Sequence, residues 1–79
     1  MRIKGEYQGL IWECCVTENP TNYGKNQGRV YYLEIIDREK GDGYTLNHIL
    51  YRFENGWTKI NQKSTEVSEV IKYVLEQYN

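Results

Sequence analysis

Few side chains in this sequence could carry chemistry, and their spacing is poor for it. The chain of 79 residues has one histidine, His48, and two cysteines, Cys14 and Cys15. Adjacent residues of a strand point to opposite faces, so the two thiols cannot bridge without strain. A structural zinc site needs further Cys or His ligands, and the sequence offers only His48. Cys14 and Cys15 therefore read as reduced thiols serving as small apolar residues. With one His, no spacing points to a Ser-His-Asp set. Asp37 with Glu39, or Glu13 with Glu34, are carboxylate pairs of the kind any strand-rich chain with 11 acidic residues supplies by composition. Gly24 and Gly28 resemble a phosphate loop only superficially, because that loop runs Gly-x4-Gly-Lys-Ser/Thr from a strand into a helix and this segment leads into a strand. The expectation is a non-enzymatic protein with no metal and no cofactor.

The elements that must position whatever site exists are set by hydrophobic period. Apolar residues at Val67, Val70, Ile71, Val74, Leu75 and Tyr78 follow the i, i+3, i+4, i+7 series of a helix with one buried stripe, predicting a helix over 64–79. Ser64 or Thr65 serves as its N-cap, and Glu66 and Glu69 favour its positive N-terminal end. Before it, residues 2–7 and 10–17 alternate around the turn Gln8-Gly9. With Tyr7 opposite Leu10, Gly5 faces Trp12 and Ile3 faces Cys14, and one face carries Ile3, Gly5, Tyr7, Leu10, Trp12, Cys14 and Val16. Residues 29–38 form a third strand that is apolar on both faces: Tyr31, Leu33 and Ile35 on one, Val30, Tyr32 and Ile36 on the other. Residues 39–43 are a turn too short for an EF-hand calcium loop. Residues 44–54 and 57–61 form a second hairpin around Asn55-Gly56, the strongest two-residue turn signal in the chain. Its inner face is expected to hold Ile49, Tyr51, Phe53 and Ile60, and its outer face His48, Leu50, Arg52, Glu54, Trp57 and Lys59. Residues 18–28, with Pro20, Gly24 and Gly28, are a long loop for so small a domain and read as a connector between hairpins.

The fold class is thus α+β: one domain over residues 1–79, an antiparallel five-stranded meander in the order β-β-β-β-β-α, closed on one face by the C-terminal helix. The charge balance, 10 basic against 11 acidic residues, argues against a strong non-specific grip on phosphates, which needs a basic excess or a basic face. No apolar run approaches the roughly 18–20 residues of a membrane span, and no signal-peptide pattern opens the chain. A cytoplasmic protein with no membrane partner is expected.

One short helix covers one side of five strands. The uncovered side is expected to carry Ile11, Leu50 and Trp57 among Arg2, Lys4, Glu13, Arg52, Glu54 and Lys59. An apolar cluster rimmed by both charge signs is the usual anatomy of a protein interface; the structural alternative is that Trp57 lies over the stems of Arg52 and Lys59 on an ordinary surface. The candidate binding residues are Trp57, Leu50, Arg52, Lys59, Tyr23, Lys25, Arg29 and Tyr32, with Trp57 and Tyr23 contributing most. Exposed sheet aromatics also stack bases, and Trp57, Tyr32 and Tyr44 with Arg29, Arg38, Arg52 and Lys59 are the candidates for a single-strand binder.

Lys4-Gly5-x-x-x-Gly9-x-x-Trp12, Tyr23-Gly24-x-x-x-Gly28-Arg29-Val30, Asn55-Gly56-Trp57 and the closing helix together resemble a group of small uncharacterised proteins from phages and other mobile elements of Gram-positive bacteria. The resemblance implies an accessory protein that blocks a host defence protein by occupying a surface, as anti-CRISPR proteins do, or one that sequesters a small nucleotide signal. The expected function is a small binding protein that docks its open sheet face and its 18–28 loop on another macromolecule. A homo-oligomer holding a nucleotide signal between subunits, and a single-stranded nucleic-acid binder, stand as the alternatives.

Overall fold

A computed structural model describes residues 1–37, 49–62 and 64–79. Five strands form one antiparallel sheet in chain order: β1 (Arg2–Tyr7), β2 (Leu10–Val16), β3 (Val30–Asp37), β4 (Ile49–Glu54) and β5 (Trp57–Ile60). Helix α1 (Thr65–Tyr78) follows, and a single 3-10 turn, Lys25–Gln27, lies in the loop before β3. The α+β meander is the architecture that strand period and turn residues predict. The expected turn at 39–43 and the 44–48 start of the fourth strand, with Arg38, Tyr44 and His48, lie outside the described residues.

Both hairpins turn where the sequence places them. Gln8 and Gly9 have φ of 51° and 83°, and Asn55 and Gly56 have 46° and 93°. Two consecutive positive φ values match the right-handed twist of the flanking strands, which is why Asn-Gly and similar pairs favour such turns. The first hairpin pairs Tyr7 with Leu10, Gly5 with Trp12 and Ile3 with Cys14. A Cβ at position 5 would overlap the Trp12 indole, so glycine there makes room for the ring.

Two β-bulges change the expected faces. Between β2 and β3, Cys15 pairs with Tyr32 but Val16 pairs with Val30, leaving Tyr31 as the extra residue. Val30 therefore joins Leu33 and Ile35 in the core, although its parity assigns it to the other side. Between β3 and β4, Ile35 pairs with Tyr51 but Ile36 pairs with Ile49, leaving Leu50 extra. Leu50 is only 7% exposed and belongs to the core cluster, while Ile49 is half-buried opposite Ile36. The expected placement of Leu50 on the outer face and of Ile49 on the inner one is thus reversed. An inserted residue shifts the two-residue alternation by one, and nothing in the local pattern announces it.

Helix α1 packs mainly on β2 and β3. Val67, Val70 and Val74 are buried, with Ile71, Tyr73, Leu75 and Tyr78 packed partly against them. The Ser64 hydroxyl accepts a hydrogen bond from the Val67 amide at 3.2 Å, which identifies Ser64 as the N-cap. Tyr73, outside the expected stripe, stacks on Tyr7 at 4.6 Å between ring centroids and so extends the cover to β1. Tyr78 approaches Trp12 at 5.8 Å.

The 18–28 loop is more than a connector. The Asn79 side chain accepts from the Val30 amide at 3.0 Å and donates to the Lys25 carbonyl at 3.0 Å. It thereby ties the loop to the end of the helix. Gly28 lies so close to the Asn79 amide that a Cβ would overlap it. The Lys25 ammonium sits 5.4 Å from the Phe53 ring centroid and 5.8 Å from that of Tyr51. The loop is thus a second lid, lying over β4 on the face that the helix covers over β2 and β3.

Candidate interaction surface

With both lids on one side, no other described element covers the opposite face of the sheet, and strand register arranges its side chains in cross-strand rows. One row runs Arg2, Cys15, Tyr32, Glu54 and Trp57. The next runs Lys4, Glu13, Glu34, Arg52 and Lys59, and a third holds Glu6, Ile11, Ile36 and Ile49. Residues directly opposite on antiparallel strands have Cβ atoms close enough to interact, so these rows are the physical units of the surface.

The central rows form a network of alternating charge. Arg2 pairs with Glu13. The Tyr32 hydroxyl donates to Glu34 at 2.8 Å, the Arg52 guanidinium lies 5.7 Å from the Tyr32 ring centroid, and Arg52 reaches Glu54 at 3.2 Å. Loss of hydration on partial burial, followed by the bond donated to Glu34, pushes the Tyr32 phenol up to about 12. That side chain is neutral and fixed at physiological pH. Arg52 sits directly opposite Lys59, so of the two cations only Arg52 has a carboxylate partner among the described residues.

Trp57 lies at the end of this network on the edge strand and is 82% exposed. It borders a shallow depression of about 260 Å³ with Arg52, Glu54, Thr58 and Lys59. At the other end of the face, Ile11, Ile36 and Ile49 form a half-buried aliphatic row. Ile49 is the residue that sequence reading missed here, because only the bulge brings it to this side.

The expected site residues therefore separate into groups. Trp57, Arg52, Lys59 and Tyr32 are brought together on the open face. Leu50 is in the core and cannot touch a partner. Lys25 covers Tyr51 and Phe53 on the opposite face, so the loop and the open face do not make one continuous docking surface through it. Arg29 is tied back, its Nε donating to the Thr17 carbonyl at 2.9 Å. Tyr23, 66% exposed, borders a separate open groove of about 720 Å³ at the end of the sheet, shared with Pro20, Tyr31 and Asn55 among others.

Chemically the open face suits recognition better than reaction. Its side chains include four bases (Arg2, Lys4, Arg52, Lys59) and four acids (Glu6, Glu13, Glu34, Glu54), giving no net basic track for a phosphate backbone. Among the described residues its rings are Tyr31, which lies beside Cys15 and Arg2, Tyr32, which is capped by Arg52, and Trp57. Neither Lys nor Arg is among the described residues lining the Tyr23 groove. The Cys14 thiol is buried on the core side, and burial pushes it up to about 11, which keeps it protonated and unreactive. Among the described residues no three His, Cys, Asp or Glu side chains converge as a metal site requires, and no helix is long and apolar enough to cross a membrane.

The model of one family, a domain of unknown function designated DUF7678, matches residues 1–79. No curated protein and no solved structure matches the chain.

Proposed function

We propose that this chain, which belongs to the DUF7678 family, is a small non-enzymatic binding protein that acts by laying its open sheet face on a partner protein. The observation that carries the reading is Trp57. A tryptophan left 82% exposed on a face that neither lid covers, beside Arg52 and Lys59 and above a shallow depression, is the composition of an interface anchor. Trp and Arg dominate binding energy at such surfaces. The equal numbers of acids and bases around it favour a protein of mixed charge as the partner over an anionic polymer. Resemblance to proteins of phages and mobile elements supports a host defence protein as the partner class, inhibited by occupation of its surface; a cytoplasmic encounter is the reading that goes with it.

The two other readings have less behind them. A sponge for a nucleotide signal needs cations in its pocket, and among the described residues no Lys or Arg side chain lines the Tyr23 groove, where the terminal amine of Met1 is bonded to the Val16 carbonyl. A single-strand binder needs bare rings along a basic groove, and the described residues of this face carry as many acids as bases.

The test is affinity capture from a lysate of the source cell with the parent chain and with Trp57→Ala and Arg52→Ala. The parent retains a specific protein, and Trp57→Ala loses it by about 2 kcal/mol or more of binding energy while its circular dichroism and melting curve stay those of the parent. Equal retention of the same protein by parent and Trp57→Ala would refute the reading.

A further inference from the structure

We infer that the depression beside Trp57 is a carboxylate site: it receives an aspartate or glutamate side chain from an acidic segment of the partner protein, held by Lys59 and Arg52 while the indole covers an apolar neighbour. The site rests on the reading of this face as a docking surface and gives the partner a chemistry.

Strand register leaves one cation unanswered. Lys59 stands directly opposite Arg52, and like charges directly opposite on antiparallel strands are destabilising. The fold resolves only half of that conflict. Arg52 reaches Glu54 at 3.2 Å and lies 5.7 Å from the Tyr32 ring centroid. Lys59 has no ion pair, side-chain hydrogen bond or ring contact among the described residues. The neighbouring acids of its row and the next are engaged elsewhere: Glu54 with Arg52, Glu34 with the Tyr32 hydroxyl at 2.8 Å, and Glu13 with Arg2. Every residue of β5 is exposed, so the Lys59 ammonium is open to an approaching chain.

The depression itself states the charge it lacks. It is lined by two bases, Arg52 and Lys59, by one acid, Glu54, and by Trp57 and Thr58. With Glu54 held by Arg52, the balance is one positive charge, which a single carboxylate neutralises. A phosphate group brings roughly 1.5–2 negative charges and would meet Glu54 at the same wall. At about 260 Å³, the space falls below the ~300–1,000 Å³ of small-molecule pockets and suits a side chain or two of a peptide. Trp57 and Lys59 are two residues apart on one strand, so they share a face with Cα atoms about 6.8 Å apart. An extended partner segment has the same two-residue repeat, and an acid on Lys59 then sets an apolar side chain two positions away against the indole. The indole alone accepts many apolar surfaces; the charge pair adds register and selects among partners.

The test is titration of the isotope-labelled chain, followed by NMR, with capped hexapeptides that carry Glu, Gln, Lys or phosphoserine two positions from a leucine. The Glu peptide shifts the Trp57 indole and Lys59 amide signals. It binds about tenfold or more tighter than the Gln peptide, as a bond to a charged group implies, and added salt weakens it. Lys59→Gln removes the preference for Glu over Gln. Its urea midpoint lies at or above that of the parent, because the like-charge pair is gone. Failure of the Glu peptide to bind, equal binding of the Gln peptide, tighter binding of the phosphoserine or Lys peptide, or a Lys59→Gln chain less stable than the parent would each overturn the proposal. With the protein captured by the parent chain, equal retention by Trp57→Ala refutes the docking surface as a whole. Loss by Trp57→Ala with full retention by Lys59→Gln refutes the carboxylate site alone.

Discussion

Leu50 and Trp57 lie on the same side of the second hairpin by parity, yet the structure buries one and exposes the other, and their alanine variants should diverge accordingly. At 7% exposure Leu50 fills part of the core. Truncation of a buried leucine costs about 2–5 kcal/mol through lost transfer energy and the cavity left behind. A domain of this length has about 4–12 kcal/mol in total at ~0.05–0.15 kcal/mol per residue, so a loss of about 3 kcal/mol removes a quarter or more of it. With about 4–8 °C of melting temperature per kcal/mol at this size, Leu50→Ala should melt about 12–24 °C below the parent. Trp57, 82% exposed, should change stability by less than about 1 kcal/mol on truncation to alanine. Ile49→Thr, at the half-buried position opposite Ile36, should fall between the two. Urea unfolding followed by circular dichroism measures all three. If Leu50→Ala stays within about 1 kcal/mol of the parent, the bulge between Ile35 and Ile36 is absent in solution, and the faces of β4 revert to simple alternation. A large loss at Trp57 would place that ring in the core and remove the docking site with it.

Two other perturbations probe the lids and the polar network. Gly28→Ala should destabilise by about 1–3 kcal/mol, because the new Cβ overlaps the Asn79 amide and displaces its bonds to Val30 and Lys25. In a double-mutant cycle Asn79→Ala relieves that overlap, so strictly additive losses would show that the clasp does not form. Cys14 and Tyr32 both have folded-state values raised above the unfolded ones, from 9.0 to about 11 and from 10.0 to about 12 respectively. A group so raised holds its proton longer in the folded chain. Its contribution is therefore full below the unfolded value and is lost as pH rises through the folded one. Stability should decline from about pH 9 to about pH 12, and Tyr32→Phe should remove the upper part of that decline. A flat profile over this range would refute the assigned environments.

Much of the architecture follows from local signals. The 3.6-residue period of 64–79 and the Ser64 cap define α1, and the Asn55-Gly56 and Gln8-Gly9 turns define both hairpins. These features depend on residues only a few positions apart, where backbone sterics and side-chain period act directly. The same local reasoning places Trp57, Arg52 and Lys59 together on one face, because the tight turn fixes their register.

What tertiary structure decided involves partners far apart in the chain. The bulges at Tyr31 and Leu50 are settled by how β3 fits its two neighbours, so Val30 and Leu50 enter the core against their parity while Ile49 leaves it. The role of the 18–28 loop depends on Asn79, 54 residues from Lys25, and on rings of β4 that Lys25 covers. Strand period states which side chains share a face for as long as the period is unbroken; where it breaks, and what else lies over the face, is decided by packing the whole chain around one core.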